Sequence, residues 1–248
     1  MGNKSYKSST SKILTEYCET NGLKATIETA TIMLSKTGET GGKNFRATVN
    51  GELCETILIL CIQDYIRRNK TATKNWFIEQ GLILSDPNNR DSEYKTEIDV
   101  TLFTPTKIIL FECKSYGGDK VLKEKCTVTR VGQQPRDVYS QHIKHAEAIL
   151  KNFASCKIIS AATVNKSGIM MPLFNFSIGS LKDYRIEKDK NAMPVYNTTN
   201  IFTLLNNLGG GEVVWNIPKC KQICRALHKT KKKDTADHLQ YVKSLHHS

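Results

Sequence analysis

The chain has 248 residues, 39% of them hydrophobic and 24% charged, a composition that excludes wholesale disorder and suits one main core with helical additions at its ends. Lys and Arg outnumber Asp and Glu by 36 to 24, a net charge of +12. That excess favours a polyanionic partner such as nucleic acid, with an anionic membrane surface as the competing reading.

No apolar run approaches the roughly 20 residues of a membrane span, and the polar start MGNKSYKSSTSK lacks the apolar stretch of a signal peptide. The protein is therefore expected to be cytoplasmic and not membrane-bound. In chain order, SKILTEYCET and ATIETATIMLSK carry two weakly amphipathic helical patterns that break at a loop, TGETGGKN. GELCETILILCIQDYIRRN, apolar on nearly every side, predicts a buried helix entered through Gly51. NWFIEQGLIL reads as a strand and SDPNNRDSE as a loop. TEIDVTLFT and KIILFECKS follow as two strands joined at Pro105-Thr106.

KCTVTRV can hold a short strand, and PRDVYSQHIKHAEAILKNF opens a helix with Pro135 near its start. CKIISAATV and GIMMPLFNFSIG resume strand character, and NIFTLLNNL is a further helix. This alternation predicts an α/β fold around a central mixed sheet flanked by helices. The expected organisation is an N-terminal helical extension over 1–45, a core over 46–210 and a basic helical tail over 211–248, the last containing HKTKKKD.

Eight cysteines are scattered without a CxxC pair, so free thiols, several buried as small hydrophobes, are the simplest reading. Cys220, Cys224 and His228 could share a helix face, but three ligands on one short helix rarely close a zinc site.

The charged residues inside the apolar hairpin are the unusual feature. Strand alternation points Glu97 and Asp99 one way and sets Glu112 and Lys114 on one face, with Phe111 and Cys113 on the other. If the two faces come into register, carboxylates and one ammonium meet on one side of the sheet. Crowded carboxylates repel, and a divalent cation relieves that cost. Oxygen ligands of this kind favour Mg²⁺ or Mn²⁺.

Here the chain resembles the PD-(D/E)xK nucleases of the restriction-endonuclease-like superfamily, in which an acid on one strand precedes (D/E)-x-K on the next. Asp99, Glu112 and Lys114 match those positions. It is most similar to the nuclease-related NERD branch. Gly51 to Glu55, EID at 97–99, ECK at 112–114, and Gln141 with His145 follow in that branch's order.

The resemblance implies a metal-dependent endonuclease acting on DNA. Asp99, Glu112 and the Cys113 backbone carbonyl would hold Mg²⁺ or Mn²⁺, Lys114 would sit beside the attacking water, and Glu55 and Gln141 would assist. Glu52 is the alternative to Glu55 and Gln134 to Gln141, while Glu97 is as readily a peripheral surface residue. His142 is expected to point elsewhere on its helix. Lys120, Lys123, Lys125 and Arg130 could line a phosphate-tracking groove or be simply solvated. A two-fold dimer would suit cutting both strands. The rival readings are a catalytically inactive nucleic-acid-binding module of the same fold and a nuclease that cleaves RNA.

Overall fold

The computed structural model describes residues 9–40, 43–85, 95–115, 120–123, 127–130, 136–158, 168–176, 184–186 and 194–229. The loop expected after Ser85, Pro135, Gln134, Lys125, the strand expected beyond Ile158 and most of HKTKKKD lie outside these residues. The elements begin with helices α1 (Ser9–Thr40) and α2 (Lys43–Arg68), then strands β1 (Phe77–Ser85), β2 (Lys95–Phe103) and β3 (Ile108–Lys114). Short strands β4 (Lys120–Lys123), β5 (Thr127–Arg130) and β6 (Arg136–Asp137) precede helix α3 (Val138–Asn152). Strands β7 (Ile169–Met170), β8 (Leu173–Asn175), β9 (Tyr184–Ile186) and β10 (Val195–Tyr196) lead to helix α4 (Ile201–Asn206). A final helix, α5, covers 217–229. The architecture is α/β, with a mixed central sheet flanked by helices.

The chain forms two compact units, each discontinuous in sequence. One comprises Met1–Ala72, Cys113–Arg136 and Leu173–Asn207. In it α1 packs along α2, and α2 also meets α4 and β8. The two helical patterns expected before residue 37 are one helical run kinked at Gly22, whose φ of 83° is the left-handed conformation that glycine adopts at least cost. The loop expected over TGETGGKN is largely absent, because α1 continues to Thr40 and α2 is already helical at Lys43. Gly51 consequently lies inside α2 and does not open it. Thr37 Oγ1, near the end of α1, donates to Asn50 Oδ1 at 2.8 Å.

The apolar circumference of α2 explains its burial: Leu53, Cys54, Ile57, Leu58, Cys61 and Ile62 are fully inaccessible. One carboxylate, Asp64, is buried with them and paired on its own helix to Arg67 Nη2 at 2.6 Å and Arg68 Nε at 2.8 Å. In this unit β4 runs antiparallel to β5 and parallel to β9, and β8 runs parallel to β10.

The other unit comprises Thr73–Glu112, Asp137–Pro172 and Leu208–Ser248. Its sheet is mixed: β1, β2 and β3 form an antiparallel meander, and β7 adds parallel to β3. The β2–β3 turn is closed by Thr104, whose amide and hydroxyl both donate to the Lys107 carbonyl, at 2.9 and 2.8 Å. The Pro105 carbonyl beside it accepts from the amides of Val214 and Trp215, at 2.8 and 2.9 Å. The strand expected over CKIISAATV begins as a 3-10 turn, Ala154–Cys156, followed by a single bridge from Lys157 to Trp215.

The core of this unit gathers Phe103, Ile108 and Leu110 from the sheet with Ile149 and Phe153 from the α3 side and Trp215 and Cys220 from the C-terminal segment. Phe103 stacks on Phe77 at 4.4 Å and leans on Phe153 at 5.3 Å. Each such side chain, fully buried, contributes roughly 1.5–3 kcal/mol from removal of its surface from water.

Phe103→Ala is expected to cost about 3–5 kcal/mol, because it removes buried area and leaves a cavity between two rings; the midpoint of a urea melt measures the loss. A second expectation concerns Cys61. Burial, reinforced by the nearby Asp64 carboxylate and then by Cys18, pushes its thiol up from 9.0 to about 12. Between those values the folded protein holds a proton that the unfolded chain releases. The associated stability is therefore intact below pH 9 and lost as pH climbs through that window. The urea midpoint should fall more between about pH 8 and about pH 10.5 in the native sequence than in Cys61→Ala.

Candidate functional site

The register of β2 on β3 sets the geometry. Phe103 pairs with Ile108, Leu102 with Ile109, Thr101 with Leu110 and Val100 with Phe111. The paired register ends there, with Asp99 and Glu112 each one residue beyond its last pair. Residues opposed across an antiparallel pair share a face, so Thr101 and Phe103 lie with Ile108 and Leu110, and strand alternation adds Glu112 to that face. Ile98 and Val100 are both fully buried, and Ile98 joins the core cluster that holds Phe103, Ile108 and Leu110. Asp99 is half-buried and Glu97 exposed, whereas Glu112 is only 1% accessible.

On the other side of β2, strand β1 pairs Gln80 with Val100 and Leu82 with Ile98. The residue between those pairs, level with Asp99, is Gly81, and its φ is 58°. A glycine there supplies the left-handed backbone and leaves no side chain beside the Asp99 position.

Helix α3 contributes the next groups. It starts at Asp137, whose carboxylate caps the helix by accepting from the Ser140 amide at 2.9 Å and the Ser140 hydroxyl at 2.6 Å. Its buried face is Val138, His142, His145, Ala148 and Ile149, and it packs on β1 and β2. His142 and His145, three residues apart, lie on one face of the helix, with ring centroids 5.8 Å apart in an edge-on arrangement. His145 Nδ1 lies 3.9 Å from Glu112 Oε2.

One ligand atom from each of Glu112, His142 and His145 falls within 4.8 Å of the others, and among the described residues this is the group of three that could hold a metal ion. Asp99 lies outside that triad. His142, expected to point away, faces Glu112 with His145. Gln141, expected beside the site, is an exposed residue of α3 and does not join the buried cluster.

The boundary between the two compact units falls between Glu112 and Cys113. In the unit that begins again at Cys113, that residue is buried at 8% accessibility and Lys114 is half-buried. The Lys114 carbonyl accepts from Cys54 Sγ at 3.3 Å and from the Phe176 amide at 3.1 Å. Cys54 also reaches the Phe174 carbonyl at 3.8 Å. The α2 turn that carries Glu55 is thereby anchored to the end of β3. Glu55 and Glu52 are both half-buried on α2.

The C-terminal cysteines resolve differently. Cys156, Cys220 and Cys224 are core thiols raised by burial, while His228 binds the Glu79 carboxylate at 2.7 Å. Lys120 and Arg130 are paired in the register of β4 and β5.

The family comparison bears directly on this segment. Residues 61–166 match NERD, the nuclease-related domain. The matched segment resembles a nuclease-related domain over somewhat less than half of the chain. Asp99, Glu112, Cys113, Lys114, Gln141 and His145 fall inside the matched segment, and Gly51 and Glu55 precede it. No curated protein and no solved structure matches the chain. A carboxylate as deeply buried as Glu112 is costly without positive charge or hydrogen bonding to offset it.

Gly81→Ala is expected to destabilise the protein by about 1–2 kcal/mol, since a Cβ penalises the left-handed conformation. Urea melts of the two proteins measure the difference.

Proposed function

We propose that the protein is a metal-dependent nuclease that hydrolyses phosphodiester bonds in DNA. The observation that supports this reading is the match of residues 61–166 to the nuclease-related domain, a segment that carries Asp99 on β2 and Glu112 and Lys114 on β3. Asp99 and Glu112, with the Cys113 carbonyl, would hold Mg²⁺ or Mn²⁺. When bound, such an ion supplies Lewis acidity toward a phosphate oxygen and makes a coordinated water more acidic.

The remaining chemistry belongs to the chain. Lys114 follows Glu112 by two residues on β3 and so extends from the same face; its ammonium neutralises charge that grows on the phosphate and orients the attacking water. Glu55 assists from α2, and Gln141 meets phosphate or water from the exposed side of α3. The net charge of +12 favours attraction of the polyanionic substrate and makes binding weaken with added salt. No helix among the described residues is long and apolar enough to cross a membrane. A cytoplasmic protein acting on nucleic acid, dimeric if it cuts both strands, is the setting this reading implies.

Incubation with plasmid and oligonucleotide substrates in the presence of Mg²⁺ or Mn²⁺ tests the proposal. Metal-stimulated DNA cleavage is expected, lowered about 10²- to 10³-fold by Asp99→Asn and by Lys114→Ala. Absence of stimulated cleavage, or cleavage that survives both substitutions, rejects it. Salt-sensitive binding without product would assign the chain as a binding module, and cleavage confined to RNA would change the substrate class.

A further inference from the structure

We propose that Glu112, His142 and His145 form a site for a divalent first-row transition cation of the Zn²⁺ or Co²⁺ type, on the inner side of the Glu112 carboxylate. The site shares Glu112 with the hydrolytic reading above but depends on no step of it.

Burial is the first argument. The three residues are 1%, 0% and 1% accessible, and Glu112 Oε2, His145 Nδ1 and both ring nitrogens of His142 are cut off from solvent. A carboxylate and two imidazoles turned toward one another inside a core face bring three potential ligand groups together away from water. A cation bound there would take the carboxylate and the imidazole nitrogens as ligands.

Geometry is the second. The donors already lie within 4.8 Å of one another, and one pair is at 3.9 Å. Around a tetrahedral ion with bonds of about 2.0–2.2 Å, ligand atoms sit roughly 3.3 Å apart. The His145–Glu112 pair therefore needs to approach by about 0.6 Å, and a pair at the 4.8 Å limit by about 1.5 Å, within the reach of side-chain rotations. The two histidines come from consecutive turns of one capped helix, so their spacing is held by backbone hydrogen bonds and not by a loop.

The donor set selects the ion. Two imidazoles with one carboxylate suit Zn²⁺, Co²⁺, Fe²⁺ or Ni²⁺. Mg²⁺ prefers six oxygen ligands and retains several waters, and a solvent-shielded pocket with two nitrogens offers neither. The site is thus chemically distinct from the oxygen site proposed for Asp99 and Glu112.

The test uses the full chain, stripped with a chelator and titrated with Co²⁺, reading visible d–d absorption and bound metal per chain. One Co²⁺ per chain is expected, with a band displaced by Zn²⁺ and unaffected by excess Mg²⁺. His142→Gln and His145→Gln should each weaken Co²⁺ binding about tenfold or more, whereas Asp99→Asn should keep the band. Loss of DNA cleavage in Asp99→Asn with the band intact supports two separate sites.

The proposal is overturned if the wild-type chain gives no band, if both histidine variants bind as tightly as wild type, or if Mg²⁺ displaces Co²⁺. Strong thiolate charge-transfer absorption, which would place the ion on the core cysteines, also overturns it. Because the histidine variants can misfold, thermal melting of the wild-type chain gives an independent reading. Zn²⁺ should raise the melting temperature and Mg²⁺ should not, and an absence of that difference counts against the site.

Discussion

The antiparallel register between β2 and β3 is the constraint from which the rest of the candidate site follows. Side chains on a strand alternate with a period of two, so a slip of one residue would carry Glu112 to the opposite face and bring Phe111 or Cys113 toward α3. What pins the register is largely apolar: Phe103 and Ile108 at the turn end, then Thr101 with Leu110, all fully buried. Glu112, just beyond the last of these pairs, is therefore positioned by hydrophobic packing along its own strand. Thr104 closes the turn and removes the freedom that a longer loop would give.

The protein buries carboxylates in two different ways. Asp64 on α2 is 5% accessible and is neutralised by two arginines on its own helix, at i+3 and i+4. That solution is local, formed as soon as α2 forms. Glu112 is more deeply buried and meets imidazoles from a helix far along the chain. Its environment exists only once α3 has packed on the sheet, so the electrostatics at Glu112 report on tertiary structure where those at Asp64 report on a single helix.

Much of this was legible in the chain, for identifiable reasons. The hairpin strands carry dense β-branched and aromatic residues around one short turn, and their pattern leads directly to β2 and β3. That Glu112 and Lys114 share one face of β3 could be read from alternation, because alternation is a property of any strand. The helix running through Thr37 to Thr40 was not legible, since Gly and Thr there signal a turn and tertiary packing of α1 on α2 overrides that local preference. His142 was missed for a different reason. Val138, His142, His145 and Ile149 recur at helical spacing, and the stripe marks the buried face, yet a histidine is ordinarily read as polar surface. Treating the stripe as a whole would have turned both imidazoles inward.

The double hydrogen bond at Pro105 has a consequence for how the chain can be altered. Hairpin tips are ordinarily the places where a fold accepts an inserted tag, a cut or a new pair of ends. Here the tip is strapped by the Val214 and Trp215 amides, with Thr106 Oγ1 donating to the Leu208 carbonyl at 3.3 Å. The bend is thus an internal joint between distant stretches of sequence. Engineering that relies on exposed connections would have to leave it whole and work elsewhere in the molecule.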